Sequence, residues 1–151
     1  MEPIVQLNSN AKLSDHFTLG EMTKSSSHPE VYNIPSHEAI ANLKRVCGWL
    51  EVLRDRSGGP VRINSGYRSP QLNKKIDGVP TSNHLTGCAA DIRVENMEQL
   101  IRYAAMLLDY ADESHQDFDE LLIERNRYGV IWLHFAVRAK GNRRKVAFIN
   151  A

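Results

Sequence analysis

The chain has 151 residues, 42% hydrophobic and 25% charged, enough to bury an apolar core in one domain without help from disulfides. Lys and Arg number 19 against 18 Asp and Glu, for a net charge of +1, so no global field recruits nucleic acid or anionic lipid. No run of about 18 apolar residues marks a membrane span, and residues 1–8 lack the basic leader and apolar stretch of a secretory signal, so cytoplasmic synthesis is expected.

In chain order, Thr18 and Glu21 are spaced as a capping box, with Phe17 and Met22 placed to close a hydrophobic staple. A short helix is expected there, running into a loop over 24–29. A longer helix starts after Pro35 with Ser36 as N-cap. Its apolar residues Ile40, Leu43, Val46, Cys47, Leu50 and Leu53 recur at three- and four-residue steps and define one buried stripe. Ser57-Gly58-Gly59-Pro60 ends it. A strand over 61–64 follows, then a short helix through 76 with Ser69 as N-cap and Pro70 at its first position.

Asp77-Gly78-Val79-Pro80 is a turn. Residues 90–94 read as a strand, with Asp91 and Arg93 on the face opposite Ile92 and Val94. Asn96 and Gln99 cap a second amphipathic helix that carries Met97, Leu100, Ile101, Ala104, Leu107 and Leu108. Strands are expected over 118–124 and 130–137, and a third over 145–149. Helices come mostly first and neighbouring strands later, which favours an α+β fold with a mainly antiparallel sheet packed against helices. No repeat or linker divides the chain, so 1–151 is expected to be a single domain. Cys47 and Cys88 lack a metal-pair spacing and are expected as buried free thiols. Arg143-Arg144-Lys145 is expected to be a solvated strand edge.

The stretch Ser82-Asn83-His84-Leu85-Thr86-Gly87-Cys88-Ala89-Ala90-Asp91 sets a histidine and an aspartate seven residues apart across a glycine turn. A second histidine follows in Trp132-Leu133-His134. Two imidazoles and one carboxylate are the ligand set of a catalytic zinc that keeps a position open for water. Period-two alternation puts Trp132, His134 and Ala136 on one strand face and the apolar Ile131, Leu133, Phe135 and Val137 on the other. Singly, each candidate has an ordinary reading: a hydrogen-bonded strand histidine, a turn-capping aspartate, a loop histidine.

Together, Ser82-x-His84-x-x-Gly87-x-Ala89-x-Asp91 and Trp132-x-His134 resemble the zinc D-Ala-D-Ala carboxypeptidase family of peptidoglycan peptidases. That family belongs to a wider group with lysostaphin-type endopeptidases and the hedgehog signalling domain. The resemblance extends to residues 13–22, 63–70 and 118–124, nearly the whole chain, and is strongest to compact versions from phages, prophages and other mobile elements. It implies a hedgehog/DD-peptidase-like fold and one zinc per chain held by His84, Asp91 and His134. It implies that Arg68 binds a substrate carboxylate or carbonyl, which suits a guanidinium fork, and that Ser82 contacts bound peptide, or stabilises its loop, or both. Tyr67 and Trp132 are either walls of a peptide cleft or core-edge aromatics.

Many relatives carry an acidic residue or a histidine three positions before the last ligand, where this chain has Ile131. Glu124, ending the preceding strand, is the substitute general base; its other reading is an exposed strand-end carboxylate. His115, Asp117 and Asp119 are poorer candidates, and His16, His28 and His37 are expected as surface or capping residues. The resemblance thus implies a zinc peptidase that hydrolyses an amide bond in the peptidoglycan stem peptide, as a D-Ala-D-Ala carboxypeptidase or an endopeptidase. Without a signal, it would reach the wall through phage-type lysis or another export route. The alternative is a catalytically inactive zinc-containing module that binds peptidoglycan or a protein, and a purely structural metal is a third reading.

Overall fold

The computed structural model describes residues 9–24 and 33–151. His28 and most of the loop expected over 24–29 lie outside them. Helix α1 (Leu19–Thr23) begins at the capping box: Glu21 N–H donates to Thr18 Oγ1 at 3.2 Å and Thr18 N–H to Glu21 Oε1 at 3.2 Å. Phe17 and Met22 are both buried beside it, so the short helix is pinned by tertiary contacts that its five residues could not replace.

Helix α2 (His37–Ser57) is capped by Ser36, whose side chain accepts from Ala39 N, and ends at Gly58 in the left-handed conformation. Its buried residues are Ala39, Leu43, Val46, Cys47, Trp49, Leu50 and Leu53. Ile40, expected in that stripe, is only half-buried, because the helix packs against more than one neighbour and the burial spreads to Ala39 and Trp49. The Trp49 ring meets Tyr110 edge-on at 4.8 Å and Phe135 at 5.2 Å.

Helix α3 (Pro70–Lys75) starts at Ser69 with proline in its first turn, and a 3-10 turn (Asn83–Thr86) starts at Ser82. Helix α4 (Met97–Ser114) is capped by Asn96, which accepts from Gln99 N at 2.8 Å, while the Gln99 side chain accepts from Glu95 N at 2.7 Å. Its buried stripe is Leu100, Tyr103, Leu107 and Ala111. Met97 and Ile101, expected to be buried, are exposed. Two overlapping stripes satisfy the helical period here, and packing against α2 and the sheet selects the one centred on Leu100 and Leu107.

Strands β1 (Ile63–Ser65), β2 (Ala89–Arg93), β3 (Glu120–Arg125), β4 (Ile131–Ala136) and β5 (Lys145–Asn150) form one sheet in the order β1-β2-β4-β3-β5. All pairings are antiparallel except β3 with β5, which is parallel. The architecture is α+β, as expected. Alternation divides the sheet. Ala90, Ile92, Leu121, Leu133 and Phe135 join the buried core with residues of α2 and α4, while Asp91, Glu120, Leu122, Glu124, Trp132 and His134 line the other face. Cys47 and Cys88 are free and buried, and burial pushes the Cys47 thiol up to about 12. Among the described residues, no helix is long and apolar enough to cross a membrane.

Candidate metal centre

Backbone and side-chain bonds fix the turn that carries His84. Ser82 Oγ accepts from His84 N at 3.1 Å, and Gly87 closes the turn at φ +77°. A Cβ at Gly87 would lie 2.5 Å from the Ala39 carbonyl oxygen of α2, so both conformation and contact call for glycine. His84 is 2% exposed, and its Nδ1 lies 2.6 Å from the Gly66 carbonyl. A carbonyl only accepts, so Nδ1 bears the proton and Nε2 turns its lone pair outward. That atom lies 3.2 Å from Asp91 Oδ1.

Asp91 on β2 pairs directly across from His134 on β4, and His134 Nδ1 lies 3.0 Å from the same Asp91 oxygen. The second ring nitrogen of His134, Nε2, lies 2.9 Å from Glu120 Oε1. One donor atom from each of His84, Asp91 and His134 falls within 4.8 Å of the others. Donors bound at about 2.0–2.1 Å around a tetrahedral ion stand about 3.3 Å apart. The observed 3.0 and 3.2 Å separations are therefore close to what such an ion needs. The set of two imidazoles and a carboxylate suits zinc, and these residues could hold it.

The electrostatics point the same way. Burial lowers His84 below its ordinary value and keeps the ring neutral, the form that binds metal. Burial alone would raise Asp91, but the adjacent His84 and His134 rings hold it well below the usual carboxylate range. Burial opposes a charge on His134 too, yet its bonds to Asp91 and Glu120 and the charges of Asp91 and Glu124 push it up to about 10. Without a cation, a proton on His134 answers this negative surround. A divalent ion among the three donors takes that proton's place.

These groups lie in an open cleft of about 800 Å³ that is also lined by Arg68, Ser82, Glu124 and Trp132. Arg68 donates to Asn73 Oδ1 at 3.2 Å and stands 3.9 Å from Asp91 Oδ2. Its Nε is buried without a hydrogen-bond partner, while the side chain borders the cleft. Glu124 brings Oε1 to 3.6 Å from His134 Nδ1. Burial, reinforced by the Asp91 charge, raises its carboxyl above the usual range.

Tyr67 does not line the cleft. Its N–H donates to the Met22 carbonyl, while the next residue, Arg68, donates its N–H to the His84 carbonyl. Successive residues thus face opposite ways, sending the Tyr67 ring to the core at 7% exposure and Arg68 to the cleft. Ile131 packs against the core side. Asp119 is fully buried against Arg143, Arg138 and Asn83, far from serving as a base, and these partners hold it down at about 2 despite its burial. Asp117 pairs with Arg144 and His115 ends α4. The basic triplet is therefore not simply solvated: Arg143 grips Asp119, Arg144 grips Asp112, and Lys145 borders the cleft. His16 is paired with Glu51 at 2.6 Å.

Glu120 and Asn83 are the cleft residues that sequence reasoning missed. Strand alternation puts Glu120 on the same face as Glu124, four residues earlier, and Leu122 between them pairs with His134.

The family model for peptidase M15 matches residues 15–125. That span contains Arg68, Ser82, His84, Asp91 and Glu124, and His134 lies nine residues beyond its end. A zinc D-Ala-D-Ala carboxypeptidase from Streptomyces albus G is 29% identical over 90 residues, which are 59% of this chain and 35% of that protein. The match thus spans about a third of the curated relative's length.

Proposed function

Because the chain belongs to the peptidase M15 family, we propose that it is a zinc-dependent peptidase hydrolysing an amide bond in bacterial peptidoglycan stem peptides. The carboxypeptidase or endopeptidase activity of the D-Ala-D-Ala type would reside in residues 1–151 as one domain. The observation that carries this reading is the convergence of His84, Asp91 and His134 in an open cleft that Arg68 and Glu124 also line.

His84 Nε2, Asp91 Oδ1 and His134 Nδ1 would hold one zinc ion per chain. Zinc bound there supplies Lewis acidity, which makes water nucleophilic near neutral pH and polarises a carbonyl oxygen. Glu124 accepts the proton of the attacking water at its carboxylate and passes it to the amine nitrogen as the C–N bond breaks. Its burial-raised affinity for a proton suits that shuttle. Arg68 orients the peptide through a carboxylate or carbonyl oxygen, a role that suits a guanidinium fork bordering the cleft. Ser82 contacts the peptide at the edge of the cleft, and Trp132 forms part of its wall. The enzyme would act on the wall after release, by phage-type lysis or another export route.

The test is mass-spectrometric analysis of products from defined muropeptides, with and without chelator. Cleavage is expected only with metal, at about one zinc per chain, and His84→Ala should lose both zinc and cleavage. Cleavage by the metal-free protein would refute the proposal. Saturable muropeptide binding with no product would favour the binding module, whose support is Ile131 in the position where many relatives carry an acid or a histidine. Glu124 beside His134 supports catalysis instead.

A further inference from the structure

His134 has two ring nitrogens, and the proposed ligand role uses only Nδ1. The other, Nε2, does not face solvent: it meets Glu120 Oε1 at 2.9 Å. A neutral imidazole carries one N–H, and a carboxylate can only accept. Nδ1 meets a carboxylate as well, Asp91 Oδ1 at 3.0 Å, so it is once Nδ1 is given to the ion that the single proton settles on Nε2, and Glu120 stands where that proton is received.

Glu120 is itself held. Asn83 Nδ2 donates to Glu120 Oε1 at 2.7 Å and to Asp119 Oδ2 at 2.8 Å. The Asn83 carbonyl oxygen accepts from Arg138 Nε at 2.9 Å, which fixes which way that amide points. Arg143 donates to both Asp119 oxygens, at 3.0 and 2.9 Å, and approaches Glu120 Oε2 at 3.4 Å. Asn83 immediately precedes His84, while Asp119 and Glu120 lead into the strand beside His134. One amide thus ties the turn carrying the first histidine to the carboxylate that orients the second.

We propose that Glu120, latched by Asn83, is a positioning residue for the metal centre: it receives the Nε2–H of His134 and thereby presents Nδ1 to the ion. The proposal rests on the zinc-peptidase reading, since it concerns how the zinc ligands are held. Partners of this kind govern metal affinity by about 10–100-fold. The acceptor oxygen, rather than the charge alone, is the essential part, so an amide in its place should serve better than nothing.

The test measures zinc affinity by chelator competition on the whole chain, without reference to turnover. Glu120→Ala should weaken zinc binding by about 10–100-fold, whereas Glu120→Gln, which keeps an acceptor oxygen, should lose distinctly less. Asp112→Asn, which breaks only the surface pair with Arg144, should bind zinc as the unaltered chain does. A second readout needs no variant: long-range proton–nitrogen spectra of the zinc-loaded protein should show His134 protonated at Nε2 and not at Nδ1. Unchanged affinity in both Glu120 variants would overturn the proposal, as would equal losses in the two, or a proton on Nδ1. If the unaltered chain bound no zinc that depends on His84, the peptidase reading itself would fall. Zinc held through His84 with no sensitivity to Glu120 would sink only this inference.

Discussion

Strands β3 and β4 carry two faces built from opposite chemistry on the same ladder of hydrogen bonds. Toward the helices they present Leu121, Ile123, Leu133 and Phe135, which bury apolar surface and leave no polar side-chain atom to satisfy. Toward the cleft they present Glu120, Glu124, Trp132 and His134. The charged or ionisable members of that second face have side chains only 7–16% exposed. Desolvating such groups costs free energy that a protein tolerates only where they are paired or bind an ion. The first face contributes stability, and the second draws on it to hold carboxylates and imidazoles closer together than water would allow.

Substitutions that touch one face and not the other can break this contrast. The largest effect is expected from Glu124→Gln, which keeps shape but removes the proton acceptor. Turnover of muropeptide should fall by about 10²–10⁴-fold, while zinc content and melting temperature stay near those of the unaltered chain. A parallel loss of zinc would mean that Glu124 holds the ion instead of serving the reaction. On the opposite face, Phe135→Ala should cost about 3–5 kcal/mol of stability, read by denaturant unfolding. The ring is fully buried between Trp49 and Phe118. At temperatures where this variant remains folded, its zinc affinity should be little changed.

The smallest effect sharpens the border between the faces. Asp119 is fully buried and held at about 2, against an ordinary value of 3.8. A depressed carboxyl contributes stability that is present above pH 3.8 and lost as pH falls through 2. A difference of this size corresponds to about 2 kcal/mol. Asp119→Asn should therefore be less stable by about that amount at neutral pH, and the two unfolding curves should converge as pH approaches 2. A constant gap across that range would show that packing, and not charge, is what Asp119 supplies.

Features set by neighbours in sequence were legible in the sequence alone. The Thr18–Glu21 box, the Ser36 and Ser69 caps and the Gly58 stop each depend on residues within one turn of one another. Strand alternation also sufficed to aim His134 away from the core face, since period two needs no tertiary knowledge, whereas Glu124 was picked out by its place at the end of the preceding strand. Where several stripes satisfied the same period, as on α4, only the packing partner could choose between Ile101 and Tyr103. The parallel pairing of β5 with β3 has no local signature, because it is decided by where the connection after β4 returns. Tyr67 was ambiguous for a similar reason: its direction is set by a bond to Met22, forty-five residues earlier. Glu120 escaped notice because its importance lies in register, the side-by-side placement of β3 and β4, and not in any spacing along the chain.

The close approach at Gly66 has a mechanical consequence. Its carbonyl orients the His84 ring, and a Cβ on it would collide with the Met22 carbonyl oxygen at the end of α1. The small first helix is therefore a backstop for a ring that lies more than sixty residues further along the chain. A side chain larger than hydrogen at position 66 would push the segment after β1 off that backstop and tilt the imidazole with it.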